Sequence, residues 1–222
     1  MQNNLSRLFP RVKHIVKQQG LIALFRLGFT FLAEHSFHYG TYYLYEHTME
    51  DRKESDFMPK IKDFSFQIVS SIENADKLAR EGYNIYPFSI NTRQRLAKGA
   101  IAFCILVGAD IAHIGWLAMN EEARKTFESY PYLVDFQNRE ACTGGTLTMP
   151  KFEGNGLMTY GYYKRFQFLH EKGILKSRNA VGVKNIASQR VHNKFHPRKY
   201  AKALHVKILW WQLWKETPLK PD

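Results

Sequence analysis

Gly154 and Gly156 stand between a strand-like run, Ala141 to Met149, that ends at Pro150, and a helical pattern, Leu157–Lys172, that closes on Gly173. Proline ends a ladder because it has no N–H to donate. Glycine admits backbone conformations, and a closeness of approach, that a side chain forbids. A helix that begins at such a loop aims unbonded amides and the positive end of its dipole at whatever lies over it. These features describe a site for a phosphate or pyrophosphate over the loop. Two glycines before a helix also fit a plain turn, so the neighbouring elements must separate the two readings.

Beyond Gly173 come an apolar strand, Ala180-Val-Gly-Val183, and then the segment Asn185-Ile-Ala-Ser-Gln-Arg-Val-His-Asn-Lys194. In this order of loop, helix, strand and Asn-led helix the chain resembles the GCN5-related N-acetyltransferase (GNAT) superfamily. The resemblance spans residues 64–214 and is specific over 146–194. With Pro150 and Gly154-Asn-Gly156 set on that family's P-x-x-R-G-x-G-x-G pattern, Asn185, Ser188 and Lys194 fall on its Asn, its small residue and its frequent Lys. The chain departs from the pattern at Glu153, where Arg or Gln is usual, and at Met158, where Gly or Ala is. His192 stands in place of a Tyr, and His196-Pro197 in place of Gly-Phe.

The resemblance implies an α/β (α+β) fold with a mixed, mainly antiparallel central sheet flanked by helices. It also implies acetyl-CoA, or another acyl-CoA, as the cofactor. Amides of the strand before the loop, among them Leu147, Thr148 and Met149, would bind the pantetheine arm and polarise the thioester carbonyl. The loop, through Gly154 and the amides of Asn155, Gly156, Leu157 and Met158, would hold the pyrophosphate. Oriented amides of this kind suit a developing oxyanion. Asn185 would contact pantetheine or cap the helix it begins, with Ser188 beside it. His192 would be the general acid, since an imidazole's ordinary pKa of about 6.5 puts both protonation states within reach at neutral pH; a surface histidine on a basic helix is the competing reading. Asp135 and Glu140, on or between strands running towards the cofactor, are candidates for the base or are solvated strand residues. The implied reaction is direct acyl transfer to an amine, without a covalent enzyme intermediate. Cys104 and Cys142 sit in no nucleophile motif, and no metal cluster is expected.

Composition narrows the class. The chain has 222 residues, 45% hydrophobic and 14% aromatic, as a globular protein would. Its formal net charge of +12 points to an anionic partner or surface, or serves solubility alone, and a basic groove for the anionic CoA would suit it. Nucleic acid is not expected, because the basic residues are scattered and carry no zinc-finger, RNP or homeodomain pattern. Two distant cysteines read as buried free thiols of a reducing cytosol rather than a disulfide framework, and no signal peptide is evident.

The positioning elements follow in order. Residues 1–36 read as two helices, the first with Arg11, Lys13 and Lys17 and the second, Leu21 to Ala33, apolar almost all round. With the charged loop Met49 to Lys62 they make an N-terminal arm and linker, 1–60, ahead of an acyltransferase domain, 61–222. The second helix is too short to span a membrane; it would pack on the domain, pair with a second chain as a homodimer, or lie peripherally at the inner face of the membrane. Phe64, Phe66 and Ile68 alternate as a strand. Helices are expected over Glu73–Glu81, Asn91–Lys98 and Glu121–Ser129. A hairpin is expected over Ala100–Val107 and Ile111–Ala118, and a strand pair over Leu133–Gln137 and Glu140–Met149. Ala203 to Trp214 reads as one apolar strand, with Trp210, Trp211 and Trp214 as core and edge cover. The function these readings support is N-acetyl transfer to a small amine or amino sugar. Long-chain N-acyl amino acid synthesis and an inactive GNAT-like binding module are the alternatives.

Overall fold

The computed structural model of the protein describes residues 37–89 and 91–220. The two helices expected over 1–36 lie outside the described residues. In chain order the elements are β1 (Phe37–Thr48), β2 (Ser65–Val69), α1 (Ile72–Arg80), α2 (Ile85–Phe88), α3 (Thr92–Ala97), β3 (Ile101–Val107), β4 (Asp110–Ala118), α4 (Glu121–Arg124), β5 (Glu140–Thr148), α5 (Leu157–Glu171), β6 (Lys176–Gly182), α6 (Ile186–Asn193), β7 (Arg198–Ile208) and β8 (Trp211–Pro218). The strands form an eight-stranded sheet in the order β2-β3-β4-β5-β6-β1-β7-β8. Backbone contacts divide the chain into a larger unit, Tyr42–Ala203 with Glu216–Asp222, and a smaller one, Met1–Thr41 with Leu204–Lys215.

The larger unit is a mixed α+β structure. β2–β3, β3–β4, β4–β5 and β1–β6 pair antiparallel, whereas β5 and β6 run parallel. Parallel neighbours need a long crossover, and here α5 supplies it. The core lies between α5 and the sheet: Leu157, Tyr160, Tyr163, Phe166 and Leu169 pack with Phe103, Ile105, Ala112 and Leu117. α5 is buried on nearly every side, including Thr159, Tyr162 and Arg165. It ends where Gly173 takes a φ of +70°, and the amides of Lys172, Gly173 and Ile174 close on the carbonyls of Phe168, His170 and Leu169.

Two features of this packing shape the site. β5 carries an extra residue: Trp116 faces Gly144 and Ile114 faces Leu147, so Gly145 and Thr146 together oppose Gly115. This is a β-bulge, with Gly145 at a φ of +54°. Second, the Arg165 guanidinium is buried against β4, with Nε donating to Gly161 O at 3.0 Å. A Cβ on Gly115 would stand 2.5 Å from its Cζ, so only glycine lets the arginine lie there.

Several expected elements differ. α4 stops at Arg124 instead of running to Ser129, because Arg124 Nη1 donates to Tyr130 O at 2.8 Å and Glu128 Oε1 accepts from Tyr130 N at 3.0 Å. Those bonds bend the segment back into a turn. Residues 133–137 form no strand: Asp135 caps the short turn Phe136–Asn138, and its own amide donates to the Glu140 carboxylate at 2.9 Å. The run Ala203–Trp214 is not one strand but β7, a turn at Leu209-Trp210, and the start of β8. Leu209 takes a φ of +55° at a place where glycine is usual, so no turn residue advertises the reversal.

Gly115→Ala should destabilise the protein by about 1–3 kcal/mol, the ordinary cost of overpacking. Denaturant unfolding monitored by circular dichroism would measure it, with the midpoint falling and the slope unchanged.

Candidate active site

β5 and β6 pair through only three rungs, Glu140–Lys176, Ala141–Ser177 and Cys142–Arg178, although β5 continues to Thr148 and β6 to Gly182. Beyond Cys142 the strands part, and the gap between them is open to α5 and α6. A groove of about 640 Å³ lies there, lined by Thr146, Leu147, Thr148, the 152–159 loop-to-helix segment, and Ala187, Arg190, Val191 and Lys194 of and after α6. It continues into a chamber of about 270 Å³ whose walls share Thr146, Met158 and Ala187 with it and add Glu128, Thr143, Tyr162, Asn179 and His192.

The loop has the conformation that its glycines suggested. Gly154 and Gly156 take φ of +75° and +83°, and Gly156 caps α5. Tyr160 N is bonded to Gly156 O at 3.0 Å, so the amides of Leu157, Met158 and Thr159 precede the first helical hydrogen bond. Asn155 tightens the loop, with Nδ2 donating to Phe152 O and Glu153 O at 3.2 Å each. Lys60 N donates to Asn155 O at 2.9 Å and holds the loop from behind. Lys151 does not offset Glu153, because its Nζ pairs with Asp110 at 2.6 Å. The positive charge at the groove comes from Arg190 and Lys194 instead.

Of the strand residues, Leu147 and Thr148 line the groove and Met149 does not. Met149 N donates to Ala112 O at 2.9 Å. Amides alternate sides along the regular stretch beyond the bulge, so the Leu147 amide also faces β4 and that of Thr148 faces the opened gap. Gly154, Gly156, Leu157 and Met158 line the groove, whereas Asn155 serves the loop. Asn185 and Ser188 line the chamber, but the Asn185 carboxamide is an N-cap, accepting from Ser188 N at 3.0 Å.

The titratable residues singled out from the sequence are arranged unexpectedly. His192 is fully buried, with Nδ1 3.0 Å from His47 Nε2 and both ring nitrogens 3.4 Å from Asn179 Nδ2. Burial, helped by the nearby Arg165 charge, pushes its pKa down to about 3, so it is a neutral imidazole at pH 7 and not the imidazolium that protonation of a thiolate would use. Glu140 is buried at the paired end of β5 and holds Arg178 through two hydrogen bonds of 2.7 Å. Burial raises its pKa, but those bonds outweigh it and the net shift is downward. Asp135 accepts from Asn138 N at 3.2 Å and from Asn138 Nδ2 at 2.7 Å, bonds that hold its pKa down. At roughly 3.3 Å per residue, the rise of β5 sets Glu140 about 20 Å from Leu147. Neither acid lines the groove or the chamber.

The carboxylate that does line the chamber is Glu128. It is nearly buried, its oxygens accept from Tyr130 N at 3.0 Å and Tyr132 Oη at 3.3 Å, and burial raises its pKa above 4.5. Two donors leave part of its accepting capacity unused. Asn179, also buried, has no partner for its Oδ1. Glu128 escaped sequence reading because nothing local distinguishes it from Glu121 or Glu122; its position just before the Tyr130-Pro-Tyr132 break was the one available signal. Burial raises the Cys104 and Cys142 thiols to about 12, leaving both protonated. Among the described residues no cluster of His, Cys, Asp and Glu could hold a metal.

No protein-family model and no curated protein sequence matches this chain. Solved structures are similar in fold. A GNAT-family acetyltransferase from Colwellia psychrerythraea is 12% identical at a TM-score of 0.49, covering 82% of this chain and 62% of its own. A tandem GNAT protein from the clavulanic acid biosynthesis pathway is 14% identical at a TM-score of 0.49, covering 86% and 59%. A functionally unknown conserved protein from Staphylococcus epidermidis is 12% identical at a TM-score of 0.48, covering 85% and 67%. The chain thus spans about three fifths of the two acetyltransferase structures, and the likeness is one of fold.

His192 and His113, whose pKa is also pushed to about 3 by burial and Arg165, should stay neutral through the physiological range. Imidazole nitrogen shifts followed by NMR between pH 5 and 8 should be flat for both, and a midpoint near 6.5 for His192 would overturn its assignment as a neutral hydrogen-bonding residue.

Proposed function

We propose that this protein is an acyl-CoA-dependent N-acyltransferase. The observation that carries the reading is the gap between β5 and β6, where one groove joins a helix N-terminus, two cationic side chains and a buried carboxylate. The donor set fits the cofactor. Amides at the start of α5 would meet the pyrophosphate, Arg190 and Lys194 would add charge around the phosphates, and the Thr148 amide would lie along the path of the pantetheine arm. An acyl-CoA supplies an activated thioester, whose carbonyl carbon is open to attack by an amine.

The chain's own groups do the rest. Glu128 would accept the proton that the amine gives up as the C–N bond forms and the C–S bond breaks, with CoA leaving as a thiolate that takes its proton from water. A carboxylate whose pKa is raised by burial is a stronger base than one in water, which is what general-base catalysis needs. Asn179 Oδ1 offers a second acceptor for the amine's remaining N–H. His192 takes part as a neutral group that places Asn179. The chamber is polar on the Thr143, Asn179 and Glu128 sides, which suits a short acyl group beside a small amine better than a long alkyl chain, so acetyl transfer is the reading favoured over a long-chain synthase.

Calorimetry with CoA tests the cofactor directly. Arg190→Ala and Lys194→Ala should each weaken CoA binding about 3–10-fold, more at low salt than at high; no binding by the unaltered protein at millimolar CoA would remove the proposal.

Glu128→Gln tests the base. It should lower kcat about 10²–10⁴-fold for acetyl-CoA with primary amines while leaving CoA affinity unchanged. Because the fold raises the Glu128 pKa, the folded state binds that proton more tightly than the unfolded chain, and the carboxylate costs stability as pH rises through the folded value. The amide should therefore melt no lower than the parent at pH 7. In the parent, kcat/KM should fall as pH drops through a pKa above 4.5, and that limb should vanish in Glu128→Gln.

A further inference from the structure

The smaller unit presents an apolar surface that the acyltransferase reading does not use. Ile208, Leu209, Trp210, Trp211 and Leu213 lie within six consecutive residues at the β7–β8 turn, and all are exposed. Trp210 is 89% exposed, the highest value among the exposed large hydrophobic residues described. The sequence reading had these tryptophans as core and edge cover; instead the turn at Leu209-Trp210 carries Trp210 out of the sheet. Contiguous exposed apolar surface of this kind marks an interaction site.

We propose that the β7–β8 tip, Ile208–Leu213, docks this protein onto an anionic membrane surface. Three observations select that occupant. The first is residue type: tryptophan combines a large apolar body with an indole N–H, and it is enriched where hydrocarbon meets headgroups. The second is backbone: β7 and β8 are hydrogen-bonded neighbours in the sheet, so their tip enters an apolar boundary with few orphaned N–H and C=O groups. The third is charge. Lys207 and Lys215 flank the tip, and both are exposed. Glu216 is the one acidic residue between Lys207 and the end of β8, where Lys207 and Lys215 are the basic ones. Apolar area together with basic charge is the combination that anionic lipid recognises. A second copy would bring the same excess of positive charge to the same patch, which disfavours self-association there. No described helix is long and apolar enough to cross a membrane, so the contact is peripheral.

The full chain should co-sediment with sucrose-loaded vesicles of equimolar phosphatidylglycerol and phosphatidylcholine, and much less with phosphatidylcholine alone. High salt should weaken the binding. Trp210→Ser with Trp211→Ser should reduce partition by about tenfold or more, since each removes buried aromatic area, while Lys207→Gln with Lys215→Gln should reduce mainly the dependence on anionic lipid. Unchanged thermal melting and CoA affinity in these variants would show that the fold and the acyl-transfer site are untouched, and the vesicle result stands whether or not CoA binds. For the unaltered protein, brominated lipid should quench tryptophan fluorescence, a readout that needs no variant. The proposal is overturned if anionic vesicles do not bind, or if the double tryptophan variant binds as well as the parent. It is equally overturned if the parent is a dimer that this variant converts to monomer with no lipid binding in either, or if iodide cannot quench Trp210 and Trp211 in solution because the chain itself covers them.

Discussion

A buried charge cluster closes one end of the central sheet and thereby opens the other. Arg178 on β6 holds Glu140 of β5 through two 2.7 Å bonds and Glu46 of β1 at 2.9 Å. Both carboxylates are buried. Glu46 also pairs with Lys176 and Arg198, whereas Glu140 depends on Arg178, so losing that pair would leave a desolvated charge, a cost far above that of a surface ion pair. The parallel pairing of β5 and β6 ends at this rung. Past it each strand keeps its outer partner, β4 or β1, and gives up the inner one. The donors and acceptors that face each other across the gap then need partners from elsewhere, by the ordinary accounting of backbone polar groups. A groove with unspent amides follows directly from where that ladder stops.

α5 uses the same gap in a different way. Its first turn supplies the amides at the mouth of the groove, and its middle is packed so tightly on β4 that Gly115 and Gly161 are close-approach positions, the former to Arg165 and the latter to His113. The helix dipole is therefore aimed by packing, not by the loop alone. Burial lowers the pKa of both His113 and His192, and the buried Arg165 guanidinium, which pairs with no carboxylate among the described residues, lowers it further. Burial, with one arginine beside it, thus keeps two histidines neutral, while Glu128 is the carboxylate that lines the chamber.

Local chemistry was legible wherever one residue determines its own surroundings. Gly173 stops α5, Asn185 caps α6, the Gly108 turn joins β3 to β4, and the Gly154-Asn-Gly156 loop opens α5, all readable from residue type because φ preferences and cap geometry act within a few residues. The alternation of Phe64, Phe66 and Ile68 likewise placed β2 to within a residue. Such signals suffice for most of the order of elements and for the conformation of the glycine loop. They failed at Leu209-Trp210, where the chain reverses without a turn residue, and at 125–130, where side chains of Arg124 and Glu128 replace a helix's own bonds.

The choice among like residues belonged to tertiary structure alone. Glu128, Asp135 and Glu140 are three acids in one stretch of thirteen residues, and no property of the stretch tells a base from a salt-bridge partner or a cap. Arg178, thirty-eight positions beyond Glu140, pairs with that carboxylate; Asn138 bonds to Asp135; Glu128, bonded to Tyr132, lines the chamber. His192 reads as a histidine on a basic helix, yet its burial, with Arg165 from a distant element, decides that it stays neutral. The sequence by itself determined the loop, the caps and the succession of strands and helices, since those depend on short-range torsional preferences. Which acid is free, which histidine is charged and which tryptophan meets solvent were decided by the fold, because desolvation and Coulomb interaction depend on distance in space and not along the chain.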